Sequence, residues 1–340
     1  MPSPRFVLAL AAAIVCPLAT PALADDVIPG HTVDRPVDGA IIAGALGAGL
    51  GLSLIPVRVP PTLWARELFG DADGAVHARF SPRAAQISDG LLAATIAAPL
   101  TYLVGDTVED ADGDRLVLYG ESLAVNLAVF EGAKHLVRRP RPYLYSTSPA
   151  VARYAAAQGD DAYQSFYSAH AATAFCAATT GAYLAAVSAP RMVRRIAWTG
   201  GFATAAAVAN LRVRAGKHFY SDVVIGAAVG IAIGYAVPAL HADGAAYVPS
   251  LGDAGAAAAG LIGGTLLSEL VPLERGHASP LPSARRGSAN GRAGQPELAR
   301  FRRPGRLARL AAFAARRRAH VHLGPVPVTG GAGVGIAGAM

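Results

Sequence analysis

Apolar stretches recur along the chain at about 41 to 55, 90 to 104, 116 to 130, 171 to 189, 196 to 211 and 223 to 240, with a weaker one at 255 to 271. They are rich in Ala, Leu and Gly. Several place small residues three or four apart, as in Gly44, Gly47 and Gly51, a spacing that favours close helix packing. The pattern predicts an all-α fold, a bundle of about six apolar helices. Only 171 to 189 and 223 to 240 reach the ~18 to 20 residues that a bilayer crossing requires, and 116 to 130 carries Glu121 and Asn126. The bundle is therefore expected to be membrane-embedded or to sit beside a membrane.

Polar punctuation separates these runs. An acidic connector, DTVEDADGDR, follows the second, and a longer loop, RRPRPYLYSTSPAVARYAAAQGDDAYQSFY, follows the third. Its X-Pro steps end any helix before them, and the next helix is predicted to start near Ser168.

Composition supports contact with lipid: 53% of the 340 residues are hydrophobic, 16% are charged, and mean hydropathy is +0.36. The first residues, MPSPRFVLALAAAIVCPLATPALADD, set Arg5 before an apolar run that ends in a small-x-small pattern at Ala22 to Ala24. Residues 1–24 read as an export signal. Of the two cysteines, Cys16 lies in that signal and Cys176 in an apolar run, which leaves no disulfide framework and no cysteine metal site. The net charge of +7 is unevenly spread: residues 281 to 340 hold eleven arginines against Glu297 alone, so the first 280 residues are slightly acidic. Residues 25–271 are taken as one domain and 272–340 as an Arg/Gly/Pro-rich disordered tail. Leu307, Leu310 and Phe313 would give a short tail helix one apolar face suited to anionic lipid. Nucleic-acid binding lacks aromatic or motif support.

Three polar clusters interrupt the apolar helix ends. The first runs from Lys134 to Arg141-Pro142; seven positions are nearly two helical turns, so both cations would share a side if the helix continued. The second is Ser165-Phe166-Tyr167-Ser168-Ala169-His170, at the start of an apolar helix, where free N–H groups and the positive dipole end favour an anion. The third runs from Arg212 through Gly216 and His218 to Asp222. On a helix the i, i+4 pair His218 and Asp222 would share a face, and the carboxylate would fix one imidazole tautomer.

Together the clusters resemble the three-part motif of the type 2 phosphatidic acid phosphatase family, shared with class A bacterial acid phosphatases and vanadium haloperoxidases. Lys134 to Pro142 matches the first part in full, and Arg212, His218 and Asp222 match the third at the family's spacings. The motif spans 134–222. Tyr167 and Ala169 stand where the family has proline and glycine, and Leu211 where it usually has serine; these departures put rate and substrate preference in question. The resemblance implies a metal-independent hydrolase with no cofactor. Lys134, Arg141, Ser168, Ala169 and Arg212 would bind phosphate, His218 would attack phosphorus, His170 would protonate the leaving group, and Asp222 would orient His218. His135, Arg138, Arg139, Arg214 and Lys217 lie outside the motif and read as rim charges. A divalent metal on His170, His218 and Asp222 is not expected, because no His-x-x-x-His or paired acidic ligands support it and three neighbouring cations would repel it.

The expected substrate is a lipid phosphate or diphosphate, with a small soluble phosphomonoester as the alternative; a haloperoxidase and a non-enzymatic membrane scaffold are further alternatives. Membrane lipid is an expected partner, nucleic acid and an obligate protein partner are not. If six segments cross, both motif loops share one face, and Arg191, Arg194, Arg195 and the tail lie on the other. The positive-inside tendency then turns the site toward the periplasm. A cleaved signal would start such a bundle from the outside, so either marginal segments do not cross or the whole bundle is exported as a periplasmic protein.

Overall fold

The computed structural model describes residues 30–272, apart from 61, 65–69, 77–78 and 111–112, together with 322–328 and 331–337. The expected export signal and Cys16 lie outside these residues. The helices are α1 (Arg35–Leu54), the one-turn α2 (Asp71–Gly74), α3 (Pro82–Asp110), α4 (Asp114–Val137), α5 (Pro149–Gln158), α6 (Ala169–Ser188), α7 (Arg191–Arg214), α8 (Tyr220–Leu240) and α9 (Leu251–Glu269). The bundle is all-α, as expected, with seven long helices among the described residues.

Local chemistry sets several boundaries. Asp34 caps α1 by accepting from the Val37 N–H, with Pro36 in the first turn. Ser250 and Asp253 cap α9 reciprocally: Ser250 Oγ accepts from the Asp253 N–H and Asp253 Oδ2 from the Ser250 N–H. The long helices exceed the apolar runs. Thus α3 begins at Pro82, eight residues before its apolar run, and extends through the first half of the acidic connector to Asp110. The long loop after α4 contains a helix, α5, started by Pro149.

α6 is the central helix, packed against α3, α4, α7 and α8, and most of its side chains from Ala171 to Ala186 are buried. Its apolarity therefore makes the core. The outer surface is apolar as well: α1 exposes Val37, Ile41, Leu46, Leu50 and Leu54, α3 exposes Leu100 and Val104, and α9 exposes Ile262, Leu266 and Leu267. Such a surface is costly in water. Five helices, α1, α3, α4, α8 and α9, are long and apolar enough to cross a membrane. That set differs from the expectation, which had favoured 171 to 189 and treated 255 to 271 as weak. Gly44, Gly47 and Gly51 face open space, and the close approach of α1 to α4 is made by Gly49, whose added Cβ would lie 2.6 Å from Leu127 Cγ.

α6 and α8 approach so closely that a Cβ at Gly230 would lie 2.1 Å from the Ala172 carbonyl oxygen. This contact sets the start of α6 beside the start of α8. Helix direction then sorts the molecule into two ends. α3, α6 and α8 start, and α4, α7 and α9 finish, at the end that holds the motif residues.

Residues Ala284–Met340 form a separate unit. In it β1 (His322–Val328) pairs antiparallel with β2 (Gly331–Ala337), Leu323 opposite Ile336. The expected disordered tail thus contains a hairpin, where the β-branched residues Val326, Val328, Val334 and Ile336 favour extended backbone. The remainder of the tail, including the expected apolar face at 307 to 313, lies outside the described residues.

Candidate active site

The two cations of the first cluster do not lie on a continuous helix. α4 ends at Val137, and Arg138 adopts a left-handed conformation (φ 52°) with its N–H on the Lys134 carbonyl at 3.1 Å. The chain then runs beside residues 161 to 165: the Ser165 N–H donates to the Arg139 carbonyl (2.9 Å), and the Arg141 N–H to the Ala162 carbonyl (2.8 Å). Arg141 is buried. Its Nε donates to the Asp161 carbonyl (2.8 Å), its Nη2 to Asp161 Oδ1 (3.0 Å) and its Nη1 to the Lys217 carbonyl (3.1 Å); Nη1 also lies 3.2 Å from His218 Nε2. Lys134, in the last turn of α4, is held by Glu131 Oε1 at 2.8 Å and lies over the Phe130 ring.

His218 is presented by the turn between α7 and α8. Gly216 adopts φ +70°, and a Cβ there would lie 2.1 Å from the Arg79 carbonyl oxygen, so only glycine permits this turn. His218 Nδ1 lies 2.7 Å from the Ser165 carbonyl oxygen. A carbonyl only accepts, so Nδ1 carries the proton and the Nε2 lone pair faces Arg141. Burial, followed by the cations Arg141, Arg212 and His170, holds the His218 pKa well below the ordinary histidine value of 6.5. The imidazole is therefore neutral at neutral pH, with its Nε2 lone pair facing the Arg141 Nη1 donor.

Asp222 does not set that tautomer, contrary to the i, i+4 expectation. Its Oδ2 lies 3.9 Å from His218 Nδ1. The reason is local: His218 precedes the start of α8, so the helical i, i+4 geometry is absent. The Asp222 oxygens are committed to Arg139 Nη1 (2.5 Å), Ser165 Oγ (2.5 Å) and the Phe219 N–H (2.9 Å). Asp222 thus acts on His218 through Ser165, whose carbonyl holds the ring, while its own carbonyl accepts from the Ser168 N–H.

Ser168 caps α6, with its Oγ accepting from the Ala171 N–H at 3.3 Å. The N–H groups of Ala169 and His170, in the first turn, have no acceptor within the helix. Ala169 is the first residue of α6, so its methyl sits on ordinary helical backbone and replacing glycine there introduces no strain. His170 Nε2 lies 2.8 Å from Asp89 Oδ1, and the same oxygen accepts from Arg212 Nη1 at 2.9 Å. Arg212 Nη1 also donates to Ser88 Oγ (3.2 Å), while its buried Nε has no partner among the described residues. Leu211 is buried with Ala84 and Ala215. The hydroxyl that touches Arg212 comes instead from Ser88 on α3.

Several residues taken for rim charges are structural. Arg139 is 2% exposed and bridges Asp222 to Asp73 Oδ2 (3.0 Å), with its guanidinium over the Phe219 ring at 4.0 Å. Asp73, on α2, also accepts from the N–H and Oγ of Ser221. Arg214 is buried and donates to the carbonyls of Ser268, Glu269 and Val271, closing the end of α9. His135 lies between the carbonyls of Glu131 and Ile55. Lys217 lies over Tyr154 and Tyr143, and burial with the nearby Arg141 lowers its pKa to about 8. Sequence reasoning missed Asp73 and Asp89. Neither belongs to a recognisable motif; the only trace of Asp89 is the polar pair Ser88-Asp89 directly before an apolar run.

The model of the PAP2 superfamily matches residues 115–244, from the start of α4 to just beyond α8. This match supports membership of the PAP2 superfamily. The eight motif residues all fall within the matched segment, whereas α1, α3 and α9, and with them Asp89, lie outside it. No curated protein and no solved structure matches the chain. At a coarse level, the match supports phosphatase or phosphotransferase activity.

Proposed function

We propose that the chain is a metal-independent phosphatase of a lipid phosphate or diphosphate, of the phosphatidic acid, polyprenyl diphosphate or phosphoglycolipid type, acting through a phosphohistidine at His218. The observation that carries this reading is the neutral His218, its Nε2 lone pair set among Arg141, Arg212 and His170 and its Nδ1–H tied to Ser165. A phosphate ester is an anion that needs its non-bridging oxygens cradled, a nucleophile in line and a proton for the departing alkoxide. Arg141, Arg212 and Lys134 supply charge for the oxygens, together with the unpaired Arg212 Nε and the first N–H groups of α6.

In the first step the His218 Nε2 lone pair forms the N–P bond as the P–O ester bond breaks, and His170 gives its proton to the alkoxide. In the second, His170 takes a proton from water, whose oxygen attacks phosphorus as the N–P bond breaks. Inorganic phosphate leaves, and His218 returns to neutrality. Asp89 is a positioning residue in this scheme, holding the His170 ring and Arg212 through one oxygen. The cations around His218 disfavour a divalent metal between the histidines.

The exposed apolar faces of α1, α3 and α9 favour a substrate that partitions into a bilayer over a soluble phosphomonoester. In this reading the protein resides in the cell membrane, with the site open to the periplasm. Support comes from the opposite end, where Arg191, Arg194 and Arg195 lie in the first two turns of α7. A cysteine introduced at the exposed Arg153 should react with an impermeant reagent added to intact cells with a permeabilised outer membrane; protection there would reverse the orientation.

Phosphate release from phosphatidic acid, a polyprenyl diphosphate and p-nitrophenyl phosphate by the detergent-purified protein, with a chelator present, tests the reaction. His218→Ala should lower turnover by on the order of 10⁴-fold or more with the helical signal unchanged. Equal activity in the two proteins would sink the mechanism. Wild-type activity lost to chelator while the fold persists would restore a catalytic metal.

A further inference from the structure

A second cluster of ionisable side chains lies at the other end of the bundle, where the phosphoryl chemistry has no use for it. Asp38 lies in the first turn of α1, Glu121 two turns into α4, and His241 one residue past α8. Along α8, His241 is 19 residues from Asp222, about 28 Å at 1.5 Å per residue. His241 Nε2 lies 3.2 Å from Asp38 Oδ1 and 3.9 Å from Glu121 Oε2, and one ligand atom from each of the three lies within 4.8 Å of the others. Asp38 is 2% exposed and Glu121 4%.

Apart from His241 itself, no cation among the described residues pairs with the two carboxylates. Carboxylate oxygens only accept hydrogen bonds, and the buried Asp38 Oδ2 and Glu121 Oε2 have no hydrogen-bond partner among the described residues. His241 Nδ1 lies 2.8 Å from the Val237 carbonyl oxygen, so this nitrogen carries a proton and Nε2 turns toward the two carboxylates. If the ring is neutral, three acceptors face one another. If Nε2 is protonated, its one hydrogen serves Asp38 and leaves Glu121 Oε2 orphaned. A shared divalent cation would balance both carboxylates and bind all three donors at once. The backbone already holds His241 in place: its carbonyl accepts from the Thr32 N–H (2.9 Å), and the Gly30 carbonyl accepts from the Asp243 N–H (2.9 Å).

We propose that Asp38, Glu121 and His241 form a binding site for a divalent first-row transition metal, with Zn²⁺ as the best match, clamping α1, α4 and α8 together at the end opposite the catalytic residues. One imidazole with two carboxylates is a zinc-type donor set, whereas Mg²⁺ and Ca²⁺ want mostly oxygen. Metal–ligand bonds of about 2.0–2.2 Å place neighbouring donors roughly 3.0–3.5 Å apart; the His241–Asp38 separation already has that value, and the other pairs, all within 4.8 Å, need at most about 1–2 Å of closure. The Val237 carbonyl holding Nδ1–H is the partner that fixes a ligating histidine's tautomer. α1 packs chiefly on α4 and lies outside the segment matched by the PAP2 model, so the clamp would join it to the catalytic unit.

The test uses the full-length, untagged protein in detergent, stripped with a chelator, reloaded with Zn²⁺ or Co²⁺ and desalted. Metal content and thermal unfolding are the readouts. Wild type should retain one equivalent and unfold several degrees higher when loaded. Glu121→Gln and His241→Ala should each lose both effects, whereas His170→Ala and His218→Ala should keep them. Should a far-end variant fail to fold, the Co²⁺ absorption spectrum of wild type decides: a saturable one-equivalent band is expected. Retention of less than a tenth of an equivalent by wild type, an undiminished equivalent in both far-end variants, or loss of the metal in the catalytic variants would overturn the proposal.

Discussion

The two ends of α8 carry clusters of opposite character. At its start, Lys134, Arg141 and Arg212 are each held by one carboxylate, from Glu131, Asp161 and Asp89, and among these cations the buried atom left without a partner is a donor, Arg212 Nε. At its finish, Asp38, Glu121 and His241 present acceptors, and the atoms left over are carboxylate oxygens. Unsatisfied buried groups are rare because each costs about 1–3 kcal/mol. A spare donor among cations calls for an anion, and spare acceptors call for a cation. The same reasoning therefore assigns phosphate to one end and a metal to the other.

The sharpest way to break this contrast is to remove the spare donor. Arg212→Ala should lower kcat/KM on the order of 10²- to 10³-fold, the loss expected for a group that stabilises developing charge. It should also weaken inhibition by inorganic phosphate, while far-end metal content stays constant. A variant that lost activity without losing phosphate inhibition would remove Arg212 from the phosphate-binding set.

A smaller effect is expected from the carboxylate that links His170 to Arg212. Because burial and neighbouring cations hold the His218 pKa well below 6.5, the nucleophile stays neutral until the pH falls below that lowered value. The acid limb of kcat/KM should therefore lie below the ordinary histidine range. Asp89→Asn should leave that limb in place, because Asp89 does not touch His218, and lower kcat roughly tenfold. The loss should grow toward high pH, since the negative charge that favours a protonated His170 is gone. A uniform loss across the profile would reduce Asp89 to packing.

How much of this was legible depended on what each residue's partner was. The bundle and the start of α6 at Ser168 followed from apolar periodicity and a capping residue. The eight motif positions followed from the resemblance to the family's three-part motif, and the fold gathers them at one end. Legibility failed where position depends on contacts distant in sequence. Arg139 reads as one more arginine in a basic run, yet Asp73, 66 positions away, draws it into the core. Asp222 reads as the partner of His218 only if both are on one helix, and the chain starts α8 two residues too late for that. The Asp38, Glu121 and His241 cluster spans 203 residues and matches no spacing rule, so only the packing of α4 against both α1 and α8 brings it into being.

The smallest effect on chemistry, and the one that tests whether the two ends are joined mechanically, is expected midway along α8. Gly230 is the eleventh of its 21 residues, and an added Cβ would lie 2.1 Å from the Ala172 carbonyl oxygen, which is backbone and cannot swing aside. Gly230→Ala therefore forces α6 and α8 apart, a strain of about 1–3 kcal/mol for a forced contact in a packed core. It should appear as a lowered thermal midpoint. The Ser168 N–H to Asp222 carbonyl bond, which ties the start of α6 to the start of α8, lies two turns away, so turnover per folded molecule should fall only a few-fold. If the helices act as rigid rods, the same displacement reaches His241, and Zn²⁺ should bind more weakly in step with the lost turnover. Weakened turnover with unchanged Zn²⁺ affinity would mean that α8 bends at Gly230 and that each end is held by its own contacts.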